Sequence, residues 1–343
     1  MPRALLITLG VVGLCIFASI IVILVYWTLG KKQFKKHNKI PIPETLRKHL
    51  DVETESTPTR YAPFVTVDGK KVVSGGDFIL NTDGVRSSLY QHLNLIKNDI
   101  YLVPGAQVVA VCPLDGTIAY VDKSYLLHIV YMDESKTIRF EHEIKHIQWD
   151  EDVLWISAFN SEQSGAIYSY QNGEFRVRVG PIHERHVNDL FGYHFHLNGN
   201  HLIVSHMLDR TAHVFKRTDR SFEFVPVRII DPKRETSIFP HCVCISSDGV
   251  RTFLGNPTES IGNAREAGTV LEFDDRGKCV DLFTNGTSWF GRSISILGNS
   301  VLIQDDQFYY VYDGQQLTRL DADCASFTTE GIIKVSNGQM SQI

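Results

Sequence analysis

The sequence predicts an all-β fold: a ring of six or seven short-strand units, seven preferred, behind a single N-terminal membrane-spanning helix. Three observations carry this. Two stretches repeat one pattern, "FGYHFHLNGNHLIVSHMLDRTAHVFKR" from Phe191 and "FGRSISILGNSVLIQDDQFYYVYD" from Phe290. Each has an aromatic-Gly opening, an alternating strand, a Gly-Asn turn, an apolar strand and an aromatic-rich third strand. A repeat of about fifty residues built from short strands marks a radial or stacked array, whose units cannot bury their faces alone. The third observation lies at the other end of the chain, where Ala4–Gly30 holds no charged residue.

That uncharged run exceeds the roughly twenty apolar residues a helix needs to cross a bilayer. Tyr26 and Trp27 stand at its end, where interfacial aromatics belong. Residues 1–30 therefore read as an uncleaved transmembrane anchor. Lys31, Lys32, Lys35, Lys36 and Lys39 follow at once, and a basic flank stays on the cytoplasmic side, which places the rest of the chain there. The same lysines attract anionic lipid headgroups at the membrane surface. Against this, Asn285-Gly286-Thr287 fits a glycosylation acceptor, which belongs to a lumenal, extracellular or viral-membrane placement. Residues 31–60, with three prolines, form a basic juxtamembrane segment and linker.

The remaining residues, 61–343, suffice for one large β domain. The chain carries a net charge of −5, and because residues 1–60 contribute +5, residues 61–343 carry −10. An acidic domain excludes nucleic acid as the expected partner. Of the six cysteines, Cys15 lies in the anchor, and the other five lack a disulfide-framework spacing. Cys242 and Cys244 share a strand face, where packing is the simpler reading than metal ligation.

The unit spacing is 48 residues from Phe191 to Phe239 and 51 from Phe239 to Phe290. Stepping back 48 from Phe191 aligns Val153–Ser157 with Leu202–Ser205. Earlier units open at Gly105, turning at Asp115-Gly116, and at Phe64, turning at Asp68-Gly69. Asp248-Gly249 is the turn of the Phe239 unit, and "ASFTTEGIIKVSNGQM" closes the chain as a partial unit. Closing such units into a β-propeller leaves no long exposed edge. The Phe of each opening pair is expected between sheets, and the Gly where backbones approach closely.

This pattern, kept as a Phe-Gly pair at Phe191-Gly192 and Phe290-Gly291, resembles the FG-GAP repeats of integrin alpha-subunit heads and related adhesion propellers. The resemblance implies a protein-binding propeller with calcium loops of the form D-x-D-x-D-G. Those loops are absent here: Ser246-Ser247 precede Asp248-Gly249, and Pro113-Leu114 precede Asp115-Gly116. Neither calcium nor any other cofactor is therefore expected.

Three patterns suggest chemistry. His142-Glu143-Ile144-Lys145-His146 satisfies H-E-x-x-H, which on a helix places two imidazoles on one zinc ion. The repeat register instead places it on a strand. Histidines are dense at His183, His186, His194, His196, His201, His206 and His213, and His194 and His196 share a strand face suited to zinc or copper. The same imidazoles also suit a pH-sensitive surface. "SSDGVRTF" at 246–253 resembles the Asp-box of sialidase propellers with its Gly one position early. The sequence thus points first to a non-enzymatic, membrane-anchored, protein-binding scaffold or adhesion module, of which a viral membrane structural protein is one form. The alternative is a tethered metal-dependent hydrolase or glycan-binding propeller centred on the histidine-rich stretch.

Overall fold

A computed structural model describes residues 71–343, apart from 83–85, 103–105, 107, 160–164, 181–189, 208, 219–222, 233–239, 261–265, 285–288, 329–330 and 337–338. The predicted anchor, lysine cluster, linker, sequon, Phe64, Gly105, His183, His186 and Phe239 lie outside the described residues. Among those described, no helix is long and apolar enough to cross a membrane.

Seven antiparallel sheets follow one another along the chain. Blade 1 is β1 (Lys71–Gly75), β2 (Phe78–Thr82), β3 (Arg86–Gln91) and β4 (Asn94–Tyr101). Blade 2 is β5 (Val108–Val111), β6 (Ile118–Val121), β7 (Leu126–Tyr131) and β8 (Glu134–Arg139). Blade 3 is β9 (Glu143–Asp150), β10 (Val153–Phe159), β11 (Ala166–Gln171) and β12 (Glu174–Val179). Blade 4 is β13 (Phe191–Asn198), β14 (His201–His206), β15 (Thr211–Arg217) and β16 (Phe224–Ile230). Blade 5 is β17 (Cys242–Ile245), β18 (Thr252–Asn256), β19 (Thr269–Phe273) and β20 (Cys279–Phe283). Blade 6 is β21 (Ser293–Leu297), β22 (Ser300–Gln304), β23 (Tyr309–Tyr312) and β24 (Leu317–Leu320). Blade 7 has three described strands, β25 (Cys324–Thr328), β26 (Gly331–Ser336) and β27 (Gln339–Gln342). The first strands touch in succession, and β25 lies against β1, so the ring closes as a seven-bladed propeller.

Burial follows this radial plan. Inner strands β5 and β17 are buried throughout, whereas outer β8 is almost wholly exposed. The core sits between blades. Trp155 and Ile167 of blade 3 pack with Phe195, Leu202 and Phe215 of blade 4. Val72 and Ile79 of blade 1 pack with Cys324, Ile333 and Val335 of blade 7, so the closing seam is as apolar as the others. Each such side chain taken from water stabilises the ring by roughly 1.5–3 kcal/mol.

The turns explain why Asp recurs. The Oδ1 atoms of Asp115, Asp122, Asp248, Asp274, Asp305 and Asp313 accept backbone N–H groups two to four residues on, at 2.5 to 3.0 Å. Such Asx turns satisfy donors that a tight hairpin leaves unpaired. The expected turns at Asp115-Gly116 and Asp248-Gly249 join the first two strands of blades 2 and 5. Blade 1 needs a correction: β1 begins after Asp68-Gly69, and Gly76-Asp77 joins its first two strands. Asp68-Gly69 lies outside the described residues, so it is not the turn between the first two described strands of blade 1.

The repeated Phe-Gly pair does what its chemistry suggests. Phe191 and Phe290 are fully buried, and each lies in an inter-blade cluster. Gly192 and Gly291 take positive φ values of 82° and 83°. A Cβ at Gly291 would stand 2.7 Å from Thr269 O in the preceding blade. Gly298 also has a positive φ, 55°, but has nothing within 4 Å of that position. Gly298→Ala should therefore cost about 1 kcal/mol, the strain of a left-handed L-residue. Gly291→Ala should cost at least about 1 kcal/mol more, because backbone must also move. Urea unfolding of the two variants measures the difference, and equal losses would contradict the close-approach role of Gly291.

Candidate functional site

In an open β-blade the first strand is a sheet edge, and in a closed ring that edge is buried. Its N–H and C=O groups need partners. In blades 3 to 6 the partners include side chains reaching forward from the preceding blade. The Gln148 amide pairs with both backbone groups of Leu197, donating to its carbonyl at 2.6 Å and accepting from its N–H at 2.9 Å. His194 Nδ1 accepts from Val243 N–H at 3.4 Å, and His196 Nδ1 accepts from Ile245 N–H at 3.2 Å. Asn198 Nδ2 donates to Ile245 O at 3.0 Å. Cys242 Sγ continues the series to Gly291 O at 3.0 Å. Gln148 to Leu197, His194 to Val243, His196 to Ile245 and Cys242 to Gly291 each span 49 residues, one blade period.

These strands enclose a central channel with a cavity of about 380 Å³. His146, Gln148, His194, His196 and Asn198 line one side; Ser74, Ser293, Ser295, Ser326 and apolar residues of β1, β5, β21 and β25 line the rest. Among the described residues, no Asp, Glu, Lys or Arg contributes to this lining. The His146 and His194 rings lie 4.1 Å apart between centroids at a 31° tilt, and Phe195 meets His146 edge-on. Burial lowers the His146 pKa to about 3 and that of His196 to about 4. His194 is held well below its ordinary value by burial and by the neighbouring imidazoles. All three rings are therefore neutral near pH 7.

The candidate motifs separate in space. H-E-x-x-H does not form a helical turn: Glu143 opens β9, and His146 lies within it. His142 meets Phe140 edge-on and Tyr168 at a tilt, whereas His146 faces the channel. The histidine-rich stretch likewise divides. His194 and His196 reach β17, while His206 and His213 pack around Phe191, with His206 Nδ1 3.2 Å from Asp209. His201 bonds Ser247 O on the far side of blade 4. Among the described residues, no group of three or more His, Cys, Asp or Glu side chains is arranged to hold a metal ion. A neutral imidazole that accepts at Nδ1 carries its proton on Nε2, which leaves His194 and His196 no ring lone pair for a metal. Cys242 and Cys244 are buried in one cluster, and burial raises both thiols far above their usual range.

Gln148, Asn198 and Asp150 were not singled out by motif. Gln148 and Asn198 are legible only as columns at a spacing of 48: His146, His194 and Cys242, then Gln148, His196 and Cys244, then Asp150, Asn198 and Ser246. The single Trp-Asp dipeptide, Trp149-Asp150, ends β9, where Asp150 pairs with Arg217 of blade 4 at 2.6 Å.

No family model and no curated protein matches the chain. Solved propellers do. The WD40 propeller domain of Doa1 aligns with 78% of this chain and 89% of its own, at 10% identity and a TM-score of 0.54. Hsv2 of Kluyveromyces marxianus aligns with 80% and 89%, at 12% identity and a TM-score of 0.53. The likeness is one of fold.

The channel histidines make a pH prediction. Near their ordinary value of 6.5, His146, His194, His196 and similarly depressed His241 take up protons in the unfolded chain but not in the ring. Stability should be level above pH 6.5 and fall as pH drops toward 4, by up to about 1.4 kcal/mol per pH unit per histidine. Asp115, Asp122 and Asp248 titrate below their ordinary 3.8, so they contribute little in that window. His196→Gln, whose amide oxygen can accept from Ile245 N–H, should reduce the slope by about one proton. Denaturant titrations from pH 8 to 4.5 measure both, and a flat profile would contradict the neutral, buried assignment.

Proposed function

We propose that this chain is a membrane-anchored β-propeller that binds another protein as a non-enzymatic scaffold or adhesion module. The supporting observation is an uncharged Ala4–Gly30 run with five flanking lysines, attached to a closed seven-bladed ring. A rigid ring presents loops from several blades on one face, which suits recognition of a folded partner. The exposed loop residues Glu141 and Asp321 lie on the face where successive blades connect. In this reading the FG-GAP likeness is a kinship of blade construction, supported by the buried Phe and positive-φ Gly that Phe191-Gly192 and Phe290-Gly291 share. The lysine flank supports a cytoplasmic propeller.

Affinity capture of the full chain tests the reading. One partner should be recovered stoichiometrically, and Glu141→Lys with Asp321→Lys should weaken its binding at least tenfold. Glu151→Lys, on the opposite face, should leave binding unchanged. Equal loss from both faces, with unaltered melting, would contradict a face-specific scaffold. Protease protection of intact membranes tests placement separately: the propeller should be cleaved only from the cytoplasmic side.

A further inference from the structure

The channel holds more than blade-bridging groups. Its volume of about 380 Å³ lies within the range of small-molecule sites, about 300–1,000 Å³. Such sites combine apolar walls with a few placed polar groups. Here Val72, Val109, Ile294, Ile296 and Leu302 supply apolar surface. Opposite them stand two imidazoles whose orientation is fixed from outside the cavity. Because Nδ1 of His194 and His196 accepts a backbone N–H of β17, each ring must carry its hydrogen on Nε2. The two rings sit two residues apart on one strand and both line the cavity, so they offer a pair of neutral N–H donors to an occupant.

We propose that the channel binds a small monocarboxylate with an apolar body, its carboxylate held by the Nε2–H donors of His194 and His196. The wall excludes other classes. Among the described residues no Lys or Arg lines the channel, so a phosphate dianion would place two charges there without a countercharge, against one for a carboxylate. Among the same residues no Asp or Glu lines it, so a cation has no carboxylate partner. A single negative charge accepting two N–H bonds is the ionic group that such donors can hold, and charge-assisted bonds are the stronger kind. The apolar side of the channel then takes the rest of the molecule out of water.

Isothermal titration of the full chain in lipid nanodiscs with 4-phenylbutyrate tests this, with empty nanodiscs as the blank. One acid molecule should bind per chain, and 4-phenylbutanol, which lacks the carboxylate, at least tenfold more weakly. Ser295→Trp, which fills the cavity, should abolish binding without altering the melting temperature. His196→Gln, which can still accept from Ile245 N–H, tests the donor pair without emptying the wall and should weaken acid but not alcohol binding. Absence of acid binding at millimolar concentration would overturn the proposal. So would equal binding of acid and alcohol, or unchanged binding in folded Ser295→Trp.

Discussion

Burying the inner edge of every sheet is the constraint on which this structure depends. A propeller places each first strand against the next blade's first strand, too close for water and without a shared ladder of hydrogen bonds. A buried backbone N–H left unpaired costs as much as a lost hydrogen bond, about 1–3 kcal/mol. Blades 4 and 5 meet the demand with side chains from the blade before, 49 residues upstream: Gln148 for Leu197, His194 for Val243, His196 for Ile245. Polarity inside the ring is therefore a structural requirement first, and any chemistry there must use what the bridging leaves over.

The second demand is steric. Wedge-shaped gaps between neighbouring sheets fill with large side chains, and Phe191, Phe290, Trp155 and Phe253 are fully buried there. Filling a gap with rings brings the preceding blade's backbone very near, and a residue without a Cβ must stand at the entry. Gly291 meets that need opposite Thr269; at Gly192 a Cβ would meet the Ile167 side chain at 3.3 Å, with the nearest backbone of blade 3 at 3.8 Å. The pair at Phe290-Gly291 is thus one device, a wedge beside a close contact. Blades without it rely on other buried side chains, as blade 3 does with Ile144 and Ile147 of β9.

How much of this was legible in the sequence depended on the range of the interaction. Strand alternation and Asp-Gly or Gly-Asn turns are local, so the repeats at Phe191 and Phe290, the partial last unit and the preference for seven were readable. Blade 1 was misregistered because its hairpin turns on Gly76-Asp77 while a more conspicuous Asp68-Gly69 lies just upstream. The channel was harder still. H-E-x-x-H is a local string, but the group that matters to His146 is His194, forty-eight residues on, with its ring centroid 4.1 Å away. Only reading down the columns of the repeat exposes Gln148 and Asn198, because their partners lie in the next blade.

The channel is also asymmetric, and the asymmetry has a chemical consequence. Where β9, β13 and β17 meet, imidazole and amide side chains cover the neighbouring edge and fix their own tautomers in doing so. Where β21, β25 and β1 meet, Ser293, Ser295, Ser326 and Ser74 leave room, with valine and isoleucine between them. A bulky lining throughout would fill the axis, and a small lining throughout would leave an unshaped pore. One side of each kind yields a cavity with an oriented polar wall facing an apolar one. The histidines that hold the blades together thereby also line the cavity, and the same hydrogen bonds set their tautomers.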